Sequence, residues 1–398
     1  MAERSLVRDR LIVAPWGKHG LVTVADPRYN NGDITSDPHN DATALKNDFP
    51  KFQPGGTNVL RLATPLAPRV IDSDRVGWAE SNQGTDVRTI VVKTVNFFSQ
   101  IMKTADHFPP QTHQELVLET KKHKRIWDGV VRRSNGLYVS GTNPQDLFDG
   151  MTTAGKIPYV TSLEGWSETY DESETPYDKG AKEIASIGVV QAGGWNWETP
   201  WNSSHNWKFN GVPKDRGLTD EGKEWYRALG ANGVTLWDGS HESNGSIIDK
   251  VRLAKEKNQS HVRVLVSHAG VQMGRVVEKT RNPSKEAIEE LLADGNSFFG
   301  IATSTSMLPG NNAEAVADAA EYLLDLDPTK GKQIGLGFDT NGKGGGTILE
   351  DVPTMLHLQK IAEAMYKRPR LRDLVEDIMW RNYASFLLNA MQAREHAA

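Results

Sequence analysis

The chain contains no cysteine. Disulfides and thiolate metal ligands are thereby excluded, and any metal must be held by histidine and carboxylate. An excess of charge of one sign is also lacking: 46 Lys and Arg stand against 51 Asp and Glu, a formal net charge of −5. That balance gives no electrostatic case for binding nucleic acid or a membrane surface. No apolar run approaches the roughly 18 residues of a membrane span. The first apolar run, Leu11–Ala14, is too short for the core of a signal peptide, so a cytoplasmic protein is the default expectation. A G-x-G-x-x-G fingerprint is absent, which removes support for a dinucleotide site. The glycine-rich Gly342–Thr347 (GKGGGT) lacks the G-x-x-x-x-G-K-[ST] spacing and reads as a flexible loop.

What is present is an ordinary globular composition, 38% apolar and 24% charged, over 398 residues. Such a chain can bury a large core as one large domain or two. Residues 1–33 read as an N-terminal extension with a hairpin of Leu11–Ala14 and Leu21–Ala25. Residues 34–398 read as a single domain. Strands are expected with His39 and Asp41 at the carboxyl end of the first, then at Thr57–Ala63, Ile157–Leu163, Ile187–Ala192, Val234–Asp238, Val262–Ser267, Ser297–Thr303 and Lys332–Phe338. Helices are expected at Asp86–Asp106, Asn143–Gly155, Pro176–Ser186, Ser243–Lys257, Pro283–Asp294 and Asn312–Leu326. Three more close the chain, at Pro353–Tyr366, Arg370–Met379 and Trp380–Arg394. The basic run Lys121–Arg125 reads as a solvated helix face. Alternation of this kind predicts an α/β fold, a (β/α)8 TIM-type barrel with insertions, with a doubly wound open sheet as the alternative.

Parallel α/β proteins carry their chemistry at the carboxyl ends of the strands. Val234–Asp238 and Val262–Ser267 are each followed by Ser-His, ending in His241 and His268, so the two imidazoles are expected to come together. His39 and Asp41, two residues apart, point the same way on an extended segment and can grip one ion. Glu164 follows the Ile157 strand and Asp339 follows the last one. Each alone has a bland explanation: a polar turn for His39 and Asp41, or a helix-leading carboxylate for Glu164. Together they describe a two-metal hydrolase site, with nitrogen and oxygen ligands that suit Zn²⁺ and also admit Mn²⁺, Co²⁺ or Fe²⁺. Segment Gly193–Trp207 (GGWNWETPWNSSHNW) holds four of the 11 tryptophans. It reads either as packing or as an aromatic wall for an apolar substrate.

From about Asp37 onward the chain resembles the membrane dipeptidase (renal dipeptidase) family of the amidohydrolase superfamily. Family members carry D-G-H-N-D near the start, against Asp37-Pro38-His39-Asn40-Asp41 here. Their G-K-I and E-G-G strings are similar to Gly155-Lys156-Ile157 and Glu164-Gly165. Their G-L-T-D-x-G and D-L-S-H strings are similar to Gly217–Gly222 and Asp238-Gly239-Ser240-His241. S-H-S resembles Ser267-His268-Ala269, R-N resembles Arg281-Asn282, and G-S-D-F-D-G resembles Gly337–Gly342. The resemblance implies two divalent ions, expected to be zinc. It places His39 and Asp41 on one ion, Glu164 bridging, and His241 and His268 on the other. Asp339 would shuttle a proton, and Arg281 would grip a substrate carboxylate through its bidentate fork.

The implied reaction is hydrolysis of an amide in a dipeptide or dipeptide-like substrate, by attack of a hydroxide held between the ions. A homodimer is suggested by the resemblance alone. The chain departs from the family at Trp195, where members carry a substrate-contacting His, and at Asn341, where they carry a second Asp. His205 could stand in for the missing imidazole, although a loop His is more often simply exposed. These departures keep open a changed reaction such as decarboxylation, or a relative that binds metal or ligand without turnover.

Overall fold

A computed structural model describes residues 19–24, 57–65, 138–141, 143–152, 157–164, 177–194, 202–203, 214–273, 282–293, 295–305, 307–337, 349–352 and 358–397. Their strands are β1 (His19–Val24), β2 (Thr57–Pro65), β3 (Tyr138–Ser140), β4 (Ile157–Glu164) and β5 (Val189–Gly193). These are followed by β6 (Leu236–Asp238), β7 (Arg263–Ala269), β8 (Phe298–Ala302) and β9 (Ile334–Gly337). The nine form one sheet in the order β2-β1-β9-β8-β7-β6-β5-β4-β3. Every pairing in it is parallel. β2 also pairs with β4, so the sheet curls until strands far apart in that order meet.

The strand sequences explain the arrangement. VVQAG, FFGIA and IGLG carry no alternation of polar and apolar residues and are buried throughout. A strand covered on both faces reads this way, as in parallel sheets flanked by helices. The covering helices are α1 (Pro144–Thr152), α2 (Tyr177–Ser186), α3 (Asp220–Ala231), α4 (Asn244–Ala254), α5 (Lys285–Leu292), α6 (Ala313–Leu326), α7 (Gln359–Tyr366) and α8 (Asn382–Ala397). Thr219, Ser243, Ser284 and Asn312 cap α3 to α6, each side chain accepting from an N–H in the first turn. The inner faces of α5 (Ile288, Leu291, Leu292) and α6 (Val316, Ala320, Leu323) are fully buried. Each large side chain among these contributes roughly 1.5–3 kcal/mol of burial.

Most expected elements form within a few residues of their predicted bounds, and two expectations change. Leu21–Ala25 is not a hairpin arm. Residues 19–24 are β1, which pairs parallel with β2 and β9, because an apolar β-branched run can equally be a buried sheet strand. The helix expected at Arg370–Met379 is instead a 3₁₀ turn (Arg372–Leu374) and a π-helical stretch (Asp377–Arg381). Helix α3 and the short β3 are additional elements. The expected first strand ending at His39 and Asp41, the helix Asp86–Asp106 and residues 11–14 and 121–125 lie outside the described residues.

Candidate functional site

Strands β6 and β7 run side by side, Asp238 in register with Leu265. Just past β6 the chain turns sharply, and His241 takes a φ of 66°, rare for any residue but glycine. His268 lies near the end of β7. The two rings meet edge to face, 4.8 Å between centroids, with Nε2 of one 2.9 Å from Nε2 of the other. His268 is fully buried and His241 nearly so. The convergence expected of the two Ser-His strings is therefore present.

Beneath the pair lies a buried polar layer that the sequence reasoning did not single out. Asp238 Oδ1 accepts from the backbone N–H of Ser240 and of Ser267, both at 3.0 Å. Its Oδ2 accepts from Gln191 Nε2 at 2.9 Å and from the Ser267 hydroxyl at 2.5 Å. Ser267 Oγ lies 2.9 Å from His268 Nδ1 and 3.0 Å from Ser240 Oγ, which itself accepts from the His268 backbone N–H at 2.9 Å. Glycines make room for this layer: a Cβ at Gly300 or Gly337 would run into the Ser267 carbonyl oxygen. The available signal was the string Asp-Gly-Ser-His itself, whose Asp and Ser are as buried as its His.

A second missed group is the ion pair of Glu242 and Lys250, 2.5 Å apart with both side chains fully buried. Lys250 Nζ also donates to the Asp238 carbonyl at 2.7 Å and lies 4.2 Å over the Tyr226 ring. Glu242 Oε1 further accepts from Gly194 N–H at 2.9 Å and from the Tyr226 hydroxyl at 3.2 Å. Burial pushes the Glu242 carboxyl up and the Lys250 ammonium down, each opposed by the other's charge. Burial also pushes the Tyr226 hydroxyl well up, helped by the Glu242 charge.

These contacts pin the loop after His241 to the chain on either side of segment 195–201. Gly194 is bonded to Glu242 on one side, and Ser203 O accepts from Ser243 N–H at 2.9 Å on the other. Asn282, also buried, donates to the carbonyls of Val271 and Met307 and so fixes the loops after β7 and β8.

Glu164 closes β4 in register with Gly193, which is in register with Asp238, so its backbone stands level with the base of the histidine pair. The Glu164 side chain and residues His39, Asp41, Trp195, His205, Arg281, Asp339 and Asn341 lie outside the described residues. Among the described residues no group of three or more His, Asp or Glu side chains is arranged to hold a metal ion. The paired imidazoles are what they contribute. Two nitrogens bound to one Zn²⁺ at about 2.0–2.1 Å stand roughly 2.9–3.4 Å apart for bond angles of about 90–110°. The observed 2.9 Å stands at the lower end of that range. No helix among the described residues is long and apolar enough to cross a membrane.

No family model matches the chain, and no curated protein matches it. Solved structures do. The probable dipeptidase PvdM from Pseudomonas aeruginosa aligns over 100% of this chain and 99% of its own, with 14% identity and a TM-score of 0.68. A metallopeptidase from Rhodobacter sphaeroides, liganded with a phosphinate mimic of the dipeptide L-Ala-D-Ala, aligns over 93% of this chain and 99% of its own, with 16% identity and a TM-score of 0.66. An amidohydrolase from Pseudomonas aeruginosa aligns over 98% and 99%, with 13% identity and a TM-score of 0.63. At these identities the likeness establishes a shared fold.

Proposed function

We propose that the chain is a metal-dependent amide hydrolase of the dipeptidase type, built as a (β/α)8 barrel in one domain. The observation that carries the proposal is the buried His241–His268 pair, its Nε2 atoms 2.9 Å apart at strand ends. The fold shared with a dipeptidase, a metallopeptidase and an amidohydrolase supports it. His241 and His268 would hold one divalent ion, His39 and Asp41 a second, with Glu164 between them; zinc suits this donor set. When bound, such ions lower the pKa of a water and polarise the scissile carbonyl.

The remaining roles belong to side chains. Asp339 would carry a proton to the leaving amine. Arg281 would clamp a substrate carboxylate; the residue after it, Asn282, donates to two backbone carbonyls. Trp195 adjoins Gly194, whose N–H is bonded to Glu242 beside His241. An indole there offers an apolar face with a single donor and no proton to exchange, so it favours a bulky substrate over a small polar dipeptide. His205 would have a lesser part. A cytoplasmic homodimer acting on a dipeptide-like small molecule, and on neither nucleic acid nor membrane, completes the proposal. Trp195 also favours one rival, a changed reaction such as decarboxylation.

A substrate panel separates these. Zinc-loaded protein should release free amine from bulky or aromatic N-acyl amino acids and dipeptides. Small unbranched dipeptides should be cleaved poorly, because a lost donor at the carbonyl typically costs about 10²–10³ in rate and they gain nothing from the indole face that holds a bulky substrate. Efficient cleavage of small dipeptides, undiminished in Trp195→Ala, would show that the indole only packs. Carbon dioxide without free amine would establish the rival.

A further inference from the structure

Stability alone does not account for the buried Lys250–Glu242 pair. Both side chains are fully buried, and apolar residues of similar volume in such places are often as stable or more so. Glu242 is also unevenly satisfied for a buried carboxylate. Its Oε1 accepts from Lys250, from Gly194 N–H and from the Tyr226 hydroxyl, while the buried Oε2 has no hydrogen-bond partner among the described residues. What the pair does achieve is a closure. Lys250 Nζ lies 2.7 Å from the Asp238 carbonyl oxygen and 2.5 Å from Glu242 Oε1, so one ammonium joins the last residue of β6 to the residue after His241. Both bonds are charge-assisted.

Between those two points the chain has only Gly239, Ser240 and His241 in which to reverse. Gly239 is already against α4: a Cβ there would stand 2.9 Å from Ile247 Cγ1. The turn's own backbone bond, from Glu242 N–H to the Gly239 carbonyl, is long at 3.2 Å. The reversal is completed at His241, whose φ of 66° is a region that a residue with a Cβ leaves when nothing holds it there.

We infer that Lys250, acting through the Asp238 carbonyl and Glu242, is a positioning residue that holds the His241 turn in its left-handed conformation and so aims the His241 ring at His268. The purpose of that aim rests on the proposed metal-binding role of the two rings; the staple itself does not. In a released turn the ring is placed for metal only in the fraction of molecules that regain this backbone, and apparent affinity falls by that fraction.

Two double variants remove the staple without stranding a charge. Lys250→Met with Glu242→Leu removes the polar contacts of the pair. Lys250→Met with Glu242→Gln keeps an acceptor for Gly194 N–H and the Tyr226 hydroxyl, and should one double variant not fold, the other serves. In metal-free protein, urea unfolding of His241→Gly and His241→Ala is compared in the wild-type background and in each of these. The glycine variant should have the higher midpoint while Lys250 is present, and the gap should close where it is absent. Equal midpoints with Lys250 present, or an undiminished gap without it, overturns the inference.

Zinc affinity, measured on folded protein by competition with a chromophoric chelator, is the second readout. The binding step that belongs to the pair is the one lost in the His241→Ala, His268→Ala double variant. It should weaken about 5–30-fold in both staple-free variants, the population factor that matches the usual cost of this backbone region. A role in stability alone predicts no loss, because the protein measured is folded, and an unchanged affinity overturns the inference. A loss confined to the Glu242→Leu combination would assign the effect to the Gly194 and Tyr226 contacts and overturns it too. Wild type that binds no zinc would sink the proposed function, and the metal-free comparison would still decide the staple.

Discussion

His241 is held at a φ of 66°, where an L-residue with a Cβ is crowded by its own backbone. The turn that demands it is tight: Glu242 N–H returns to the Gly239 carbonyl at 3.2 Å, and Ser243 N–H goes to Ser203 O at 2.9 Å. A glycine would suit this backbone better, and a histidine placed there marks a site that tolerates strain to aim a ring. The metal-free protein should accordingly be more stable as His241→Gly than as His241→Ala, by about 1 kcal/mol in equilibrium urea unfolding. Equal stabilities would mean that the turn relaxes and that the ring is not held by backbone strain. The position of the histidine was legible in the sequence, because Ser-His follows a β-branched run. Its strained backbone was not, since no local signal distinguishes this turn from an ordinary one.

The unit formed by β6, the turn and α4 is braced from inside by Lys250, which reaches back to the Asp238 carbonyl and to Glu242 Oε1. Taking both charges out of water is costly, and removing one partner strands the other. Lys250→Met should therefore destabilise the protein by about 3–5 kcal/mol, and Lys250→Met with Glu242→Leu should recover part of that loss, the rest going to the Gly194 N–H and Tyr226 hydroxyl that Glu242 no longer accepts from. Chemical denaturation of the metal-free variants decides it: a double variant no more stable than the single one would show that the pair is needed for more than mutual neutralisation. Lys250 was hidden in the sequence because a lysine on an amphipathic helix is expected in water. The strands were legible for the opposite reason, since continuous apolar runs such as FFGIA have few places to go except a covered parallel sheet. Residues 19–24 show the limit of that reasoning. An apolar run announces a strand, but its partners, here β2 and β9 rather than a hairpin arm, are set by the rest of the sheet.

At the scale of the molecule, the parallel sheet gathers residues distant in sequence at one end of its strands. Asp238, His241, Ser267 and His268 meet there, and the Glu164 backbone stands level with them. Strand order could be anticipated only as alternation, and the likeness to solved structures of 13–16% identity supplies the fold where no sequence family matches. The central claim is that this gathered set holds metal, with His241 and His268 on one of two ions. Elemental analysis tests it most directly, on protein purified without chelator and reconstituted with zinc, beside the His241→Ala, His268→Ala double variant. Two ions per chain in the wild type and one in the double variant are predicted. Less than one ion per chain in reconstituted wild type, or two in the double variant, would contradict the claim.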